Sequence, residues 1–105
     1  VLYSLRKCDE AVASYNKAVE LKEDYYEAWY NRGVALRQLG KFTEEVASYE
    51  KAIATKPDYY QAWNNQGMAL WNLGRLSEAI AAFDKAIEYK PDYYQAWNNR
   101  GNILR

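Results

Sequence analysis

Pro57-Asp58-Tyr59-Tyr60-Gln61-Ala62-Trp63-Asn64-Asn65-Gln66-Gly67 decides the fold, because the string returns as Pro91 to Gly101 with only Gln66 changed, to Arg100. A looser copy runs from Glu23 to Gly33. Trp29, Trp63 and Trp97 stand 34 residues apart, as do Gly33, Gly67 and Gly101, and Gly40 and Gly74 keep the same interval. A fixed period of this size is the mark of a stacked array, in which each unit is too small to bury its own apolar face and is covered by its neighbours.

Working outward, Asp9, Thr43 and Ser77 occupy one phase of the period, and each precedes a glutamate: Glu10, Glu44 and Glu78. These are N-cap residue types followed by a charge that the helix dipole favours, so three helices are expected to start there. Ala79, Ile80, Phe83, Ala86 and Ile87 then recur at helical spacing, matched by Ala11, Val12, Tyr15, Ala18 and Val19. Val1 to Leu5 fall in the phase of Leu36 to Leu39, which reads as the tail of an earlier helix and the chain as an excised part of a longer array. A second set of helices is expected after Asp24, Asp58 and Asp92, each with Glu27, Gln61 or Gln95 at the reciprocal capping spacing. Proline at 57 and 91 closes one set and glycine at 40 and 74 closes the other. Loops of about three residues make consecutive helices antiparallel neighbours, so the unit is a helical hairpin and the class all-α. Gly33, Gly67 and Gly101 sit mid-helix, where glycine costs ~1 kcal/mol against alanine, and a close approach of Ala79 to Gly67 is expected to compensate.

Fourteen basic residues balance fourteen acidic ones, so there is no long-range field to gather nucleic acid or an anionic membrane surface. The chain has no histidine and a single cysteine, Cys8, which rules out an internal disulfide, Cys/His metal sites and Ser-His or Cys-His catalysis. No apolar run approaches the ~20 residues needed to span a bilayer. The expectation is a cytoplasmic, non-catalytic protein with no cofactor, no catalytic residue and no metal site.

The residues resemble tetratricopeptide repeats. Trp63, Gly67, Leu70, Ala79, Phe83 and Pro91 meet that family's signature of tryptophan, glycine, a large apolar residue, alanine, an aromatic and a final proline. The Asp-Tyr-Tyr-Gln-Ala-Trp-Asn-Asn wording is similar to bacterial members. The resemblance divides the chain into a partial unit (1–25), two whole units (26–59 and 60–93) and the first helix of another (94–105). It implies a right-handed α-solenoid whose inner surface, made mostly by the first helix of each hairpin, binds peptides. Two features depart from the family pattern. Its usual leucine beside the glycine is Arg32, Gln66 or Arg100, expected nearer solvent, and Glu45 replaces the alanine seen at Ala11 and Ala79. A carboxylate at a close helix contact costs stability unless it finds a donor, so Glu45→Ala is expected to raise the melting temperature.

At 100° per residue, Glu27, Tyr30, Asn31, Val34, Arg37 and Gln38 share the face opposite Ala28, Trp29, Leu36 and Leu39. In later units that face reads Gln61, Asn64, Asn65, Met68, Trp71 and Asn72, then Gln95, Asn98, Asn99, Asn102 and Arg105. Asparagine is a poor helix former, but its carboxamide donates and accepts together, which suits the backbone of an extended peptide. This asparagine-rich face is the expected peptide-binding surface, with Trp71 and Met68 adding apolar contact. Some family members clamp a C-terminal carboxylate with basic residues and asparagines. Carried over, only Asn65 matches, while Tyr30, Val34, Gln95 and Asn99 replace the rest, so a more neutral segment is implied. Trp29, Trp63 and Trp97 read as inward anchors against the preceding hairpin, and the tyrosine pairs at 25/26, 59/60 and 93/94 as packing across the seam between units. Cys8 reads as a small core residue, and Glu44 beside Glu45 as a helix start rather than a catalytic dyad. Ile103, Leu104 and Trp97 have no covering helix, so self-association is expected. The competing reading is an architectural spacer or self-association segment of a larger protein.

Overall fold

A computed structural model describes residues 2–105, with side chains from residue 5 onward. Six helices follow one another: α1 (Leu2–Leu21), α2 (Tyr26–Gln38), α3 (Phe42–Thr55), α4 (Tyr60–Asn72), α5 (Leu76–Tyr89) and α6 (Tyr94–Leu104), with no strand among the described residues. Each helix packs on the next, and α4 also touches α6. With three- and four-residue connections, this is an α-solenoid of antiparallel hairpins, in which α2, α4 and α6 form one row and α1, α3 and α5 the other.

The helix ends follow from local chemistry. Gly40 and Gly74 adopt φ of +73° and +76°, the left-handed conformation that a Cβ disfavours. Gly40 N–H donates to the Arg37 carbonyl at 2.9 Å and Lys41 N–H to that of Leu36 at 3.0 Å, the paired bonds that satisfy the last carbonyls of α2. Arg75 and Gly74 repeat the arrangement on α4, to Leu70 and Trp71 at 2.9 Å each. Before Pro57 and Pro91, Lys56 and Lys90 swing to φ of −129° and −142°, out of the helical region, and end α3 and α5.

The helix starts correct the expected caps. The N-cap residues are Lys41 and Arg75 for α3 and α5, which leaves Thr43 and Ser77 inside the first turn, and Tyr25, Tyr59 and Tyr93 for α2, α4 and α6, one residue past the aspartates. None of these five starts has a side-chain cap hydrogen bond. The tryptophans supply a different tie: the indole N–H of Trp29, Trp63 and Trp97 donates to the carbonyl of Glu23, Pro57 and Pro91 at 2.9, 2.8 and 2.8 Å. Each indole therefore pins the loop that leads into its own helix. Asp9 starts nothing, because α1 runs through it as one helix of 20 residues. The phase of Gly40 and Gly74 holds Arg6 in this unit, and a side chain there does not favour the left-handed turn.

The apolar core gathers Val46, Ala69, Leu70, Ala79, Ala82 and Phe83, with Trp63, Met68, Trp71, Leu73 and Ile103 partly buried against it. Two of the three mid-helix glycines, Gly33 and Gly67, are explained by rings and not by Ala79, while Gly101 has nothing within 4 Å. A Cβ on Gly67 would lie 2.6 Å from Phe83 Cε1, and one on Gly33 would strike the Tyr49 ring. Both rings are fully buried, so the glycine is the hole and the aromatic of the hairpin partner the knob. The tryptophans are not sealed inward anchors: Trp29 and Trp63 are half-buried and Trp97 is 50% exposed. Cys8 is a half-buried free thiol. No described helix is long and apolar enough to cross a membrane.

Candidate functional site

The first-helix row is joined across the repeats by a recurring side-chain bond. Asn65 Nδ2 donates to the Tyr30 hydroxyl at 3.0 Å, and Asn99 Nδ2 donates to Asn64 Oδ1 at 3.1 Å. Tyr30 and Asn64 occupy the same repeat phase, as do Asn65 and Asn99, so one interaction is made twice, α4 to α2 and α6 to α4. Aromatic contacts reinforce the seam. Tyr59 meets Tyr26 and Tyr30 at ring distances of 5.5 and 4.9 Å, and Tyr93 meets Tyr60 at 4.9 Å, as expected of the tyrosine pairs. Burial raises the Tyr30 and Tyr93 hydroxyls above their ordinary pKa and Tyr59 to about 12, so all three stay protonated in neutral solution.

Under the first part of this row lies a polar cluster. Glu45, fully buried, accepts on Oε2 from the Tyr49 hydroxyl at 2.8 Å and from Arg37 Nε at 3.1 Å. Desolvation raises its pKa despite these two donors. Oε1 is left without a partner, but Oε2 holds the Tyr49 hydroxyl, which Glu45→Ala would orphan, so the expected gain from removing the carboxylate is opposed. Arg37 also reaches Met68 Sδ at 3.7 Å, the sulfur that Asn64 Nδ2 approaches at the same distance.

A cavity of ≈ 570 Å³ opens on this face between α4 and α6, lined by Asn64, Met68, Tyr94, Gln95, Asn98 and Asn99. A second, of ≈ 550 Å³, shares Tyr94 and Gln95 with it and continues to Tyr60, Gln61, Lys90, Asp92 and Tyr93. The first has no charged residue in its wall, and in the second Lys90 and Asp92 pair at 3.1 Å. The groove is therefore neutral, lined with carboxamides and aromatic or thioether surface.

Among the residues expected on this face, the structure brings together Gln61, Asn64, Met68, Gln95, Asn98 and Asn99. It diverts others. Tyr30 and Asn65 are half-buried in the inter-repeat bond, Arg37 in the Glu45 cluster, and Trp71 against the core. Asn31, Asn72 and Asn102 are exposed and line neither cavity, and half-buried Val34 lines neither. Asn64 corrects the picture of an open asparagine row: it is 4% exposed, its oxygen already taken by Asn99. Tyr94 was missed. Expected in the seam with Tyr93, it is instead 74% exposed beside Gln95, because no later unit packs against it among the described residues.

Family profiles described as tetratricopeptide repeat match residues 1–60 and 60–93. The chain belongs to the tetratricopeptide repeat family. The array is 44% identical over 34 residues to an uncharacterized protein, MJ0572, of Methanocaldococcus jannaschii, a match that takes in 32% of this chain and 40% of that protein. The chain thus spans well under two thirds of the curated relative it matches. Among solved structures, it resembles the first tetratricopeptide repeat module of Spaghetti (RPAP3), bound to the HSP90 peptide SRMEEVD. The TM-score is 0.91 at 26% identity, over 97% of this chain and 81% of that one. It also resembles YrrB, a repeat protein described as having an unusual peptide-binding site, with a TM-score of 0.86 at 26% identity over 95% of this chain and 52% of that one.

Proposed function

We propose that this tetratricopeptide repeat array is a cytoplasmic, non-catalytic scaffold that binds an extended peptide segment of another protein in the groove along α4 and α6. The observation that carries the reading is the ≈ 570 Å³ cavity walled by the carboxamides of Asn64, Gln95, Asn98 and Asn99 with Met68 and Tyr94. The exposed carboxamides of Gln95 and Asn98 can pair with peptide N–H and C=O alike, Asn64 and Asn99 being bonded to each other, while Tyr94 and Met68 offer apolar area to a side chain. The peptide complex of the Spaghetti module supports the class of ligand. The absence of a basic wall favours a neutral segment over the acidic SRMEEVD type. We read the chain as two whole units, 26–59 and 60–93, flanked by parts of others.

A selection from a random peptide library, followed by calorimetry, tests the proposal. Selected peptides should lose about tenfold in affinity against the Gln95→Ala/Asn98→Ala double variant, whose substituted residues are both exposed. Binding that is indifferent to this pair would overturn it. A second reading, self-association, is favoured by α6, where Tyr94, Trp97 and Leu104 are 74, 50 and 54% exposed. Sedimentation equilibrium distinguishes it, since Trp97→Gln should then dissolve the oligomer.

A further inference from the structure

On the opposite side of the array, where each first helix meets the second helices flanking it, the family's leucine position holds Arg32, Gln66 and Arg100 in successive repeats. The two arginines are employed alike. Arg32 donates through Nε to Asn16 Oδ1 at 2.6 Å and through Nη1 to Ser48, with its guanidinium carbon 5.8 Å from the centre of the Trp29 ring. Arg100 Nε donates to Asp84 Oδ1 at 2.7 Å. Each guanidinium thus reaches back to one phase of the preceding second helix, filled by Asn16, Glu50 and Asp84 in turn, and that of Arg32 also lies near its repeat's tryptophan.

The middle repeat has the same frame without the guanidinium. Gln66 is too short to reach across, and Ala82 stands where Ser48 accepts from Arg32. A cavity of ≈ 320 Å³ remains, walled by Trp63, Gln66, Glu50 and Ala82 among others. Two features of its wall lack hydrogen-bond partners. Gln66 is 9% exposed and its Oε1 is buried with no donor. Glu50 is exposed and accepts no hydrogen bond among the described residues, its charge acting only on Arg75 in the same wall. The other charges around the cavity are engaged: Arg75 binds both carboxylate oxygens of Glu78, at 2.6 and 2.8 Å, and Lys85 lies 3.8 Å from Glu88.

We propose that this cavity is a binding site for an arginine side chain presented by a partner polypeptide, whose guanidinium takes the place that Arg32 and Arg100 fill in the neighbouring repeats. The planar cation lies against Trp63 and donates to the Glu50 carboxylate, and a turn of the Gln66 amide brings its oxygen to a remaining N–H. A lysine ammonium lacks the fork that spans both acceptors and the plane that stacks on the indole, so the site discriminates between the two cations. This surface is separate from the carboxamide groove and does not depend on a peptide binding there.

The test is a titration of the protein with acetyl-Gly-Arg-Gly-amide and with its lysine counterpart, following the Trp63 indole N–H resonance. The arginine peptide should bind about tenfold more tightly than the lysine one and move that resonance, and Glu50→Gln should weaken it about tenfold. Gln66→Arg, which copies the neighbouring repeats, should fill the cavity from within and abolish binding while the Trp29 and Trp71 resonances stay in place. Equal affinity for both peptides, undiminished binding to Gln66→Arg, or shifts confined to Trp71 would each overturn the assignment.

Discussion

Arg37, Glu45 and Tyr49 occupy the phases that Trp71, Ala79 and Phe83 occupy in the next repeat, so one hairpin solves with a polar cluster what the other solves with apolar packing. Removing one member of such a cluster leaves the others unsatisfied, whereas exchanging all of them for a packed apolar set is neutral or stabilising. Glu45→Ala is therefore expected to lower stability by ~1–3 kcal/mol in a urea melt, because the buried Tyr49 hydroxyl loses its acceptor. The triple change Arg37→Trp, Glu45→Ala, Tyr49→Phe should return to the wild-type value or exceed it, and a triple variant no better than the single would refute the argument. The same carboxyl sets a pH dependence. Its pKa in the folded protein is raised above the ordinary 4.5, so its contribution to stability is fully present below that value and is lost as pH rises through the raised pKa. Compared with Glu45→Gln, the wild type should gain stability on acidification from neutral toward 4.5.

At the scale of the element, helix contacts here are set by what a glycine makes room for. Gly67→Ala places a methyl 2.6 Å from the buried Phe83 ring and should cost ~1–3 kcal/mol. Gly101 has nothing within 4 Å of the added atom, so the same change there should stabilise by up to ~1 kcal/mol through helix propensity alone. Parallel denaturant melts of the two variants check both signs. Gly40 is a third case: a Cβ meets no neighbour, but φ of +73° strains it, and Gly40→Ala should cost ~1 kcal/mol without any steric clash. Continuity of α1 has the same origin, with Arg6 at the phase where the other repeats turn.

In the molecule as a whole, the repeats are coupled to their neighbours by bonds from Asn65 and Asn99 to the residue just before their counterparts one unit earlier, Tyr30 and Asn64. Asn99→Ala removes the donor from buried Asn64 and should loosen α6 against α4. Hydrogen exchange should accelerate in α6 while α2 and α3 keep their protection, because a solenoid is stabilised through nearest neighbours. Uniform acceleration along the chain would show that the bond does not act locally. The coupling also places the groove: the residues that tie α4 to α6 are the ones that wall the cavity between them, so the docking of the repeats and the shape of the groove share one set of side chains.

The period, the glycine-ended helices, the proline stops and the tyrosine seam were all legible in the 105 residues, because each rests on local backbone preference or on spacing. The aspartate caps were misplaced because the chain enters α2, α4 and α6 under indole bonds to backbone carbonyls, which no N-cap rule anticipates, while α3 and α5 begin from Lys41 and Arg75, directly after the glycine turns. Helical geometry on one element put Asn64 on the open face, but it could not register how closely the next repeat would approach. Tertiary packing decided that Asn64 is buried while Gln95 and Asn98 stay open, that rings fill the space beside the glycines, and that Glu45 keeps a donor pair. The physical reason is common to all three: a residue's periodic position sets its direction, while its environment is set by side chains that come from another repeat.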